Sequence, residues 1–378
     1  MGFEGHITTR RIYLKRLLAL GVLGPSLSRG NVSARANEAK TPAFDPPYRN
    51  LEELDASLAA AKVSAADRRM LLGLAKPALA LSSKAAPDGE VPIGASKIGG
   101  TPDLPLGQAW PMRAPSEQGM NEVRVLRDLD RDKPSDYFKR EIARKEPLAN
   151  RPAPLAFMLQ LDLAACAALG GLDPDIPRDG RLLVFYDFIF KPWNGHQSDG
   201  KAVFQLLHDL TPTAELARRE PPDLGYPLIE GEEGLRDKLP PARMLPTYTL
   251  TLPDASSLPI FTRYPYPRRP PHDAWLGQNP NGYRGAANQL GGWPENIQGD
   301  MAIELTAADR GIPLPSGSAY MAAVSVIEPL TREWVHLLQI GDYDNTLLDF
   351  DGLYHIWIKR TDLRARDFSK ARLIYRTT

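Results

Sequence analysis

Lys97-Ile98-Gly99-Gly100-Thr101-Pro102-Asp103-Leu104-Pro105 and, far downstream, Gln289-Leu290-Gly291-Gly292-Trp293-Pro294-Glu295 carry one and the same turn signal. Glycine tolerates positive φ and proline withholds a donor from the next ladder, so a Gly-Gly-x-Pro run marks a tight change of direction. Each turn is followed by a strand holding a glutamine, and then by an Asp-Gly turn that leads into an apolar run. The first set is residues 155–162 with Gln160, then Asp179-Gly180 and residues 181–190; the second is residues 334–340 with Gln339, then Asp351-Gly352 and residues 353–358. The offset between the sets falls from 192 residues at the glycine pair to 172 at the Asp-Gly turn, so the order is kept while the insertions differ. Kept order points to an internal duplication. The expected fold class is α+β, with two repeated, mainly antiparallel β-rich modules packed together and short N-terminal helices.

Composition agrees with a sheet-rich chain. Among 378 residues, 36 Pro and 30 Gly disfavour long uninterrupted helices. Apolar residues at 43% and charged residues at 24% are ordinary for a globular protein. The formal charge of zero hides an asymmetry: six Lys/Arg lie within residues 1–36, leaving 40 basic and 45 acidic side chains in the body. A mildly acidic body gives no reason to expect nucleic acid, and no window reaches the length of a membrane-spanning helix.

The first residues read as an address. Arg10-Arg11 precedes a modest apolar run from Leu17 to Leu27, and Ala34-Arg35-Ala36 supplies a peptidase site. Residues 1–36 are thus expected to be a twin-arginine signal peptide, which places the mature protein in the periplasm. Residues 37–49 read as a linker. Residues 50–240 would hold N-terminal helices and the first repeat, and residues 241–378 the second, within one globular unit. Residues 51–83 read as two helices, the second capped by Ser64 and extending toward Leu79. Residues 113–150 read as a charged, helix-prone surface insertion.

The ordered motifs resemble the YwqG-like proteins, a bacterial family whose common domain has no assigned function. The resemblance rests on Lys97–Pro105 with Trp110-Pro111, Phe157-x-x-Gln160-Leu161-Asp162, Leu290–Pro294 with Ile297-Gln298-Gly299-Asp300, and Leu337–Ile340. It spans roughly residues 50–378 and implies an α+β fold with an internal repeat. It brings no catalytic residues. The leader and the insertion at 113–150 depart from the family pattern.

Gly99, Gly100, Pro102, Gly291, Gly292 and Pro294 read either as backbone nests for an anion or as plain turns, and their presence in both sets favours turns. Gln160 and Gln339 face away from their apolar neighbours, so each amide is expected to pin a turn of its own set. Asp342 and Asp344, with Asp349 and Asp351, form an acidic loop. Such a loop is either solvated or a calcium site, although the EF-hand spacing is missing. Tyr264, Tyr266, Arg268, Arg269, His272, Trp275, Tyr283 and Arg284 crowd a central loop that reads equally as a recognition surface for a protein or small molecule and as a packed connection. His336 and His355 read as satisfied strand residues, and Cys166 as a small buried hydrophobe. No catalytic motif or cofactor signature is present. Two functions remain open: a periplasmic binding or protein-interaction module, and a hydrolase with scattered residues between the repeats.

Overall fold

The computed structural model describes residues 48–190, 204–222, 229–231, 234–236, 238–265, 268–278, 288–316, 318–341 and 352–377. The leader, residues 37–47 of the linker, Tyr266, Tyr283, Arg284, and the acidic loop with Asp342 and Asp344 lie outside them. Residues 50–378 belong to one contact unit. The fold is mixed helix and strand, built on one large antiparallel sheet.

Ten strands form that sheet and are numbered within it. They are β1 (Lys76–Ala85), β2 (Lys97–Ile98), β3 (Ala156–Asp162), β4 (Arg181–Tyr186), β5 (Phe204–Asp209), β6 (Ala242–Thr251), β7 (Gln289–Gly291), β8 (Trp334–Ile340), β9 (Gly352–Lys359) and β10 (Arg372–Thr377). Their order is β10-β9-β8-β7-β1-β6-β2-β3-β4-β5. Read inward from either edge, the last strand of a five-strand series comes first and the opening strand last. The long opening strands β1 and β6 pair with each other over ten residues at the centre. Each also borders the second strand of the other series, β1 against β7 and β6 against β2. We call β1–β5 the first half and β6–β10 the second.

Register matches across the two halves. Lys97 lies opposite Gln160 and Ile98 opposite Leu159; Gln289 lies opposite Gln339 and Leu290 opposite Leu338. The β3–β4 ladder slips between Phe157 and Leu159, and the β8–β9 ladder slips between His336 and Leu338, three residues to one residue before the respective glutamine. A bulge changes which side chains share a face. On one face, Leu159, Leu161, Leu182, Val184, Leu338, Ile340, Tyr354 and Ile356 share a continuous core with Leu79 and Leu81 of β1. Cys166 is buried in this core, and burial pushes its thiol up to about 12, consistent with a packing role.

Helices pack both on this core, through Leu163, Cys166 and Leu363, and on separate clusters. Asn50 and Ser64 cap α1 (Leu51–Ala60) and α2 (Ala65–Leu72), each by accepting from a backbone N–H three residues on. The sequence reading carried the second helix on to Leu79, but it ends at Leu72. Pro77 cannot continue a helix, and Lys76–Ala85 finds ladder partners on both sides as β1. The insertion folds as two helices, α3 (Glu117–Asp132) and α4 (Asp136–Ala149). The buried Arg113–Asp187 pair, with Nε 2.7 Å from Oδ2, ties its base to the end of β4. After α5 (Leu163–Ala168), the second half adds α6 (Leu258–Phe261), α7 (Asp273–Gln278), α8 (Met301–Arg310), α9 (Ser318–Ile327) and α10 (Arg360–Arg364). Met301 and Leu305 of α8 pack on Trp334, Trp357 and Ile374, while Ile303 and Ala307 pack on Val324 and Ile327 of α9.

Candidate functional site

Both glycine pairs adopt positive φ: 68° and 67° at Gly99 and Gly100, 74° and 72° at Gly291 and Gly292. Gly99 N–H donates to Met158 at 2.8 Å and Gly100 N–H to Leu239 at 2.8 Å, so these amides are engaged with protein carbonyls. Gln160 Oε1 accepts from the Asp103 N–H at 3.0 Å, and Gln339 Oε1 accepts from the Glu295 N–H at 2.8 Å. Asp103 and Glu295 each stand three residues after their second glycine. The two amides therefore make the same contact on the same turn.

The surroundings differ. In the first half Asp103 is fully buried with Lys97, whose Nζ is 3.1 Å from Oδ1, and Arg218 Nε lies 3.3 Å away. Its Oδ2 accepts from Gly94 N–H at 2.8 Å and from Gln160 Nε2 at 2.6 Å. Burial lowers the Lys97 pKa against the pull of Asp103. In the second half the place of Lys97 is taken by Gln289, whose Nε2 donates to the carbonyls of Gly291 at 3.0 Å and Trp293 at 2.6 Å.

On the strands the polarity is reversed. Phe157, Leu183 and Phe185 of the first half pack with Leu104 in an apolar cluster. The register-matched residues of the second half are His336, His355 and Trp357. All three are buried, with His355 Nδ1 3.4 Å from His336 Nε2. His355 Nε2, Trp357 Nε1 and the Nε of buried Arg376 have no hydrogen-bond partner, whereas the His336 ring has the backbone of Gly292, Gly291 and Leu338 beside it. The two histidines lie on strands as expected; His336 contacts the backbone of its own turn, and the rings face one another and an indole. Burial holds His336 down near 3 and His355 well below its ordinary value; Lys76 adds to the effect on the first, His336 and Arg376 on the second.

Two open hollows border the second half. One, of about 440 Å³, lies where residues 174–179 of the first half meet Leu363, Arg364 and Arg366 of the second. Its walls are clasped together. Arg360 grips Asp173 through two 3.0 Å contacts, Arg364 Nε lies 3.0 Å from Asp175, and Arg366 lies 3.2 Å from Asp179. Hydrogen bonds from Arg364 and Arg360 hold the Asp175 carboxyl below its usual range.

The other hollow, of about 430 Å³, lies between α8 and the chain leading into α9. Gln298, Gly299, Glu304 and Tyr320 give it a polar side, while Ala307, Ala308, Ile312 and Leu314 form an apolar floor. Gln298 stands at φ 68° although it is not glycine, followed by Gly299 at 124°. Asp300 fixes this corner. Its Oδ1 caps α8 through the N–H groups of Ala302 at 2.9 Å and Ile303 at 3.3 Å, and its Oδ2 accepts from Leu258 N–H of α6 at 2.7 Å. Burial raises Asp300 to about 6, with help from the charge of Asp254. Burial likewise raises Tyr320, with further contributions from Asp300 and Glu304. Glu304 is ion-paired with Arg376.

Among the described residues of the central loop, two are drawn into packing. Trp275 is buried against Tyr48, with Nε1 donating to Ser57 Oγ at 2.9 Å. His272 is buried, with Nε2 2.8 Å from the Pro253 carbonyl. Trp275, with Tyr264 and Leu276, packs into a second core formed with α1 and α2. Tyr264 is half-buried, its hydroxyl donating to Asp67 at 3.1 Å; Arg268 and Arg269 are exposed. Sequence reasoning missed Glu304, Tyr320 and Arg376. Only the Gln298-Gly299-Asp300 run, noted for its resemblance, lay close to them.

Among the described residues, no group of three His, Cys, Asp or Glu side chains is placed to hold a metal, and no helix is long and apolar enough to cross a membrane. The site and sheet define an antiparallel α+β protein whose scaffold is locked by buried glutamines. The family model described as "Domain of unknown function (DUF1963)" matches residues 96–376, and the chain belongs to that family. No curated protein matches it. The family match begins after β1, although β1 fills the centre of the sheet.

Proposed function

We propose that this is an exported, internally duplicated binding module of the YwqG-like type, whose contact face is the hollow between α8 and α9. Duplication is supported by the mirrored strand order, the paired bulges and the shared Gln-to-turn hydrogen bond. Twin-arginine export to the periplasm is supported by Arg10-Arg11 and the Ala34-Arg35-Ala36 site. The observation that carries the binding role is the make-up of the hollow. An apolar floor faces polar groups, and its rim is a non-glycine residue held in a left-handed conformation. Such backbone is costly and tends to persist where a ligand is positioned. α9 beside it carries no charged residue and exposes Met321 and Val326, so the partner or ligand is expected to present apolar surface.

The hydrolase alternative would use the hollow at the junction of the halves. Its carboxylates are tied to guanidinium groups, and Asp175 is held below its usual range by Arg364 and Arg360, which suits a clasp better than a general acid. Native mass spectrometry of protein purified from the periplasm tests the binding role. A stoichiometric bound species in the wild type should disappear in Ala308→Trp, where an exposed floor residue is enlarged to fill the hollow. A bare wild-type protein, or a bound species that survives the substitution, overturns it. Recovery only from the cytoplasm overturns export.

A further inference from the structure

Among the described residues lining the hollow between α8 and α9, Glu304 is the only charged one. Its two carboxylate oxygens differ. Oε2 holds Arg376, which comes from β10 and does not itself line the hollow. Oε1 has no hydrogen-bond partner among the described residues and stands 3.8 Å from where a Cβ on Gly299 would lie. Gly299 is another wall of the hollow, at φ 124°, a conformation that suits glycine alone. With no side chain there, the oxygen stays uncovered on the side of the hollow.

The nearest other charge has the same sign. Asp300 directly follows Gly299, is buried, and accepts only from backbone N–H groups, those of Leu258, Ala302 and Ile303. Its charge reaches the hollow: after burial, Asp300 and Glu304 are what raise the Tyr320 phenol. An anion would be repelled from such a place, and a neutral ligand would leave Oε1 without a charged partner. A cation with a hydrocarbon body satisfies both walls. Its N–H groups make a charge-assisted hydrogen bond to Oε1, while its chain covers the floor of Ala307, Ala308, Ile312 and Leu314. A volume of about 430 Å³ is that of a small-molecule site.

Resting on this hollow as the binding face, we propose that its ligand is a small primary amine with an apolar body, held by its ammonium on Glu304 Oε1 and by its hydrocarbon on the floor. Arg376 keeps Oε2 throughout, so no existing ion pair is broken on binding. Two cations on one carboxylate repel each other, and the Asp300 charge offsets that repulsion.

Calorimetric titration of the full chain, slightly above neutral pH, with n-hexylamine, n-hexanol or sodium hexanoate tests the assignment, since the three share a chain and differ in head-group charge. n-Hexylamine should bind saturably, at least about tenfold tighter than n-hexanol, and hexanoate should not bind. Nα-Acetyl-lysinamide presents the same ammonium from a peptide and should bind more weakly than n-hexylamine, because its amides would meet the apolar floor. Glu304→Gln should bring n-hexylamine down to the level of n-hexanol, whereas Arg376→Met, which removes the competing cation, should tighten it. The ligand series on the wild type needs no variant to fold. Absent saturable binding of n-hexylamine, equal binding of n-hexanol, tighter binding of the lysine derivative, or an affinity unmoved by Glu304→Gln overturns the proposal. If n-hexylamine is silent while Ala308→Trp still strips another bound species, the hollow is a binding face for a different ligand and only this inference fails.

Discussion

At the first glycine turn the chain buries Lys97 and Asp103 and lines the strands behind them with Phe157, Leu183 and Phe185. At the second it places Gln289 and Glu295 on the turn and His336, His355 and Trp357 on the strands. Backbone, bulge and glutamine contact coincide, so neither set of side chains is required by the fold. Polarity sits on the turn in one half and on the strands in the other. The first arrangement is closed, since both oxygens of Asp103 are paired on two sides. The second leaves nitrogens unpaired. Features shared by the halves are scaffold, and the open difference between them is where function is to be sought.

The largest expected effect comes from opening the closed arrangement. Lys97→Met takes from Asp103 the fully buried one of its two cations, leaving Arg218, and should cost about 3 kcal/mol in urea unfolding. Gln289→Met at the matching place should cost only about 1–2 kcal/mol, since neutral hydrogen bonds alone are lost. Equal costs would erase the contrast between the turns.

Gly100→Ala and Gly292→Ala probe what the halves share. Both sites require positive φ, and an added Cβ would lie 2.2 Å from Asp88 Oδ1 in the first and 2.7 Å from the Ala78 Cβ in the second. Each should lose about 1–2 kcal/mol or more, and tolerance at either site would break the equivalence of the turns.

Acidity separates the halves differently. Asp300 rises from 3.8 to about 6 on folding, so between those values the native state binds the extra proton. Its contribution to stability therefore grows as pH falls through 6 toward 4, and is flat above about 7. Asp175, held low by Arg364 and Arg360, acts oppositely and loses its contribution on acidification. Asp300→Asn should flatten the pH dependence of the melting temperature between 6 and 4; an unchanged slope would remove Asp300 as its source. The smallest effect belongs to the junction clasp, where Arg360→Ala should cost about 1 kcal/mol and less in high salt.

How far the sequence could be read follows from the range of the forces involved. The Ser64 cap and the glutamine strands are local signals, and the glycine turns require only their own dihedral angles. Strand β1 was hidden because its alanines and leucines suit a helix until β6 and β7 supply ladders from more than 150 residues away. The Glu304–Arg376 pair depends on α8 packing against Trp334, Trp357 and Ile374, which no local pattern encodes. Trp275 and His272 read equally as recognition and as packing residues in a Pro- and Arg-rich loop, and only the distant Ser57 and the Pro253 carbonyl draw them inward.

Most direct is the unfolding free energy of Gln160→Leu beside Gln339→Leu. Two copies of one lock with unequal filling predict a loss at both sites. The loss should be larger at Gln160, whose amide also serves the Ala95 carbonyl at 2.8 Å and the buried Asp103 carboxylate at 2.6 Å. Unchanged stability at either site, or a larger loss at Gln339, would contradict it.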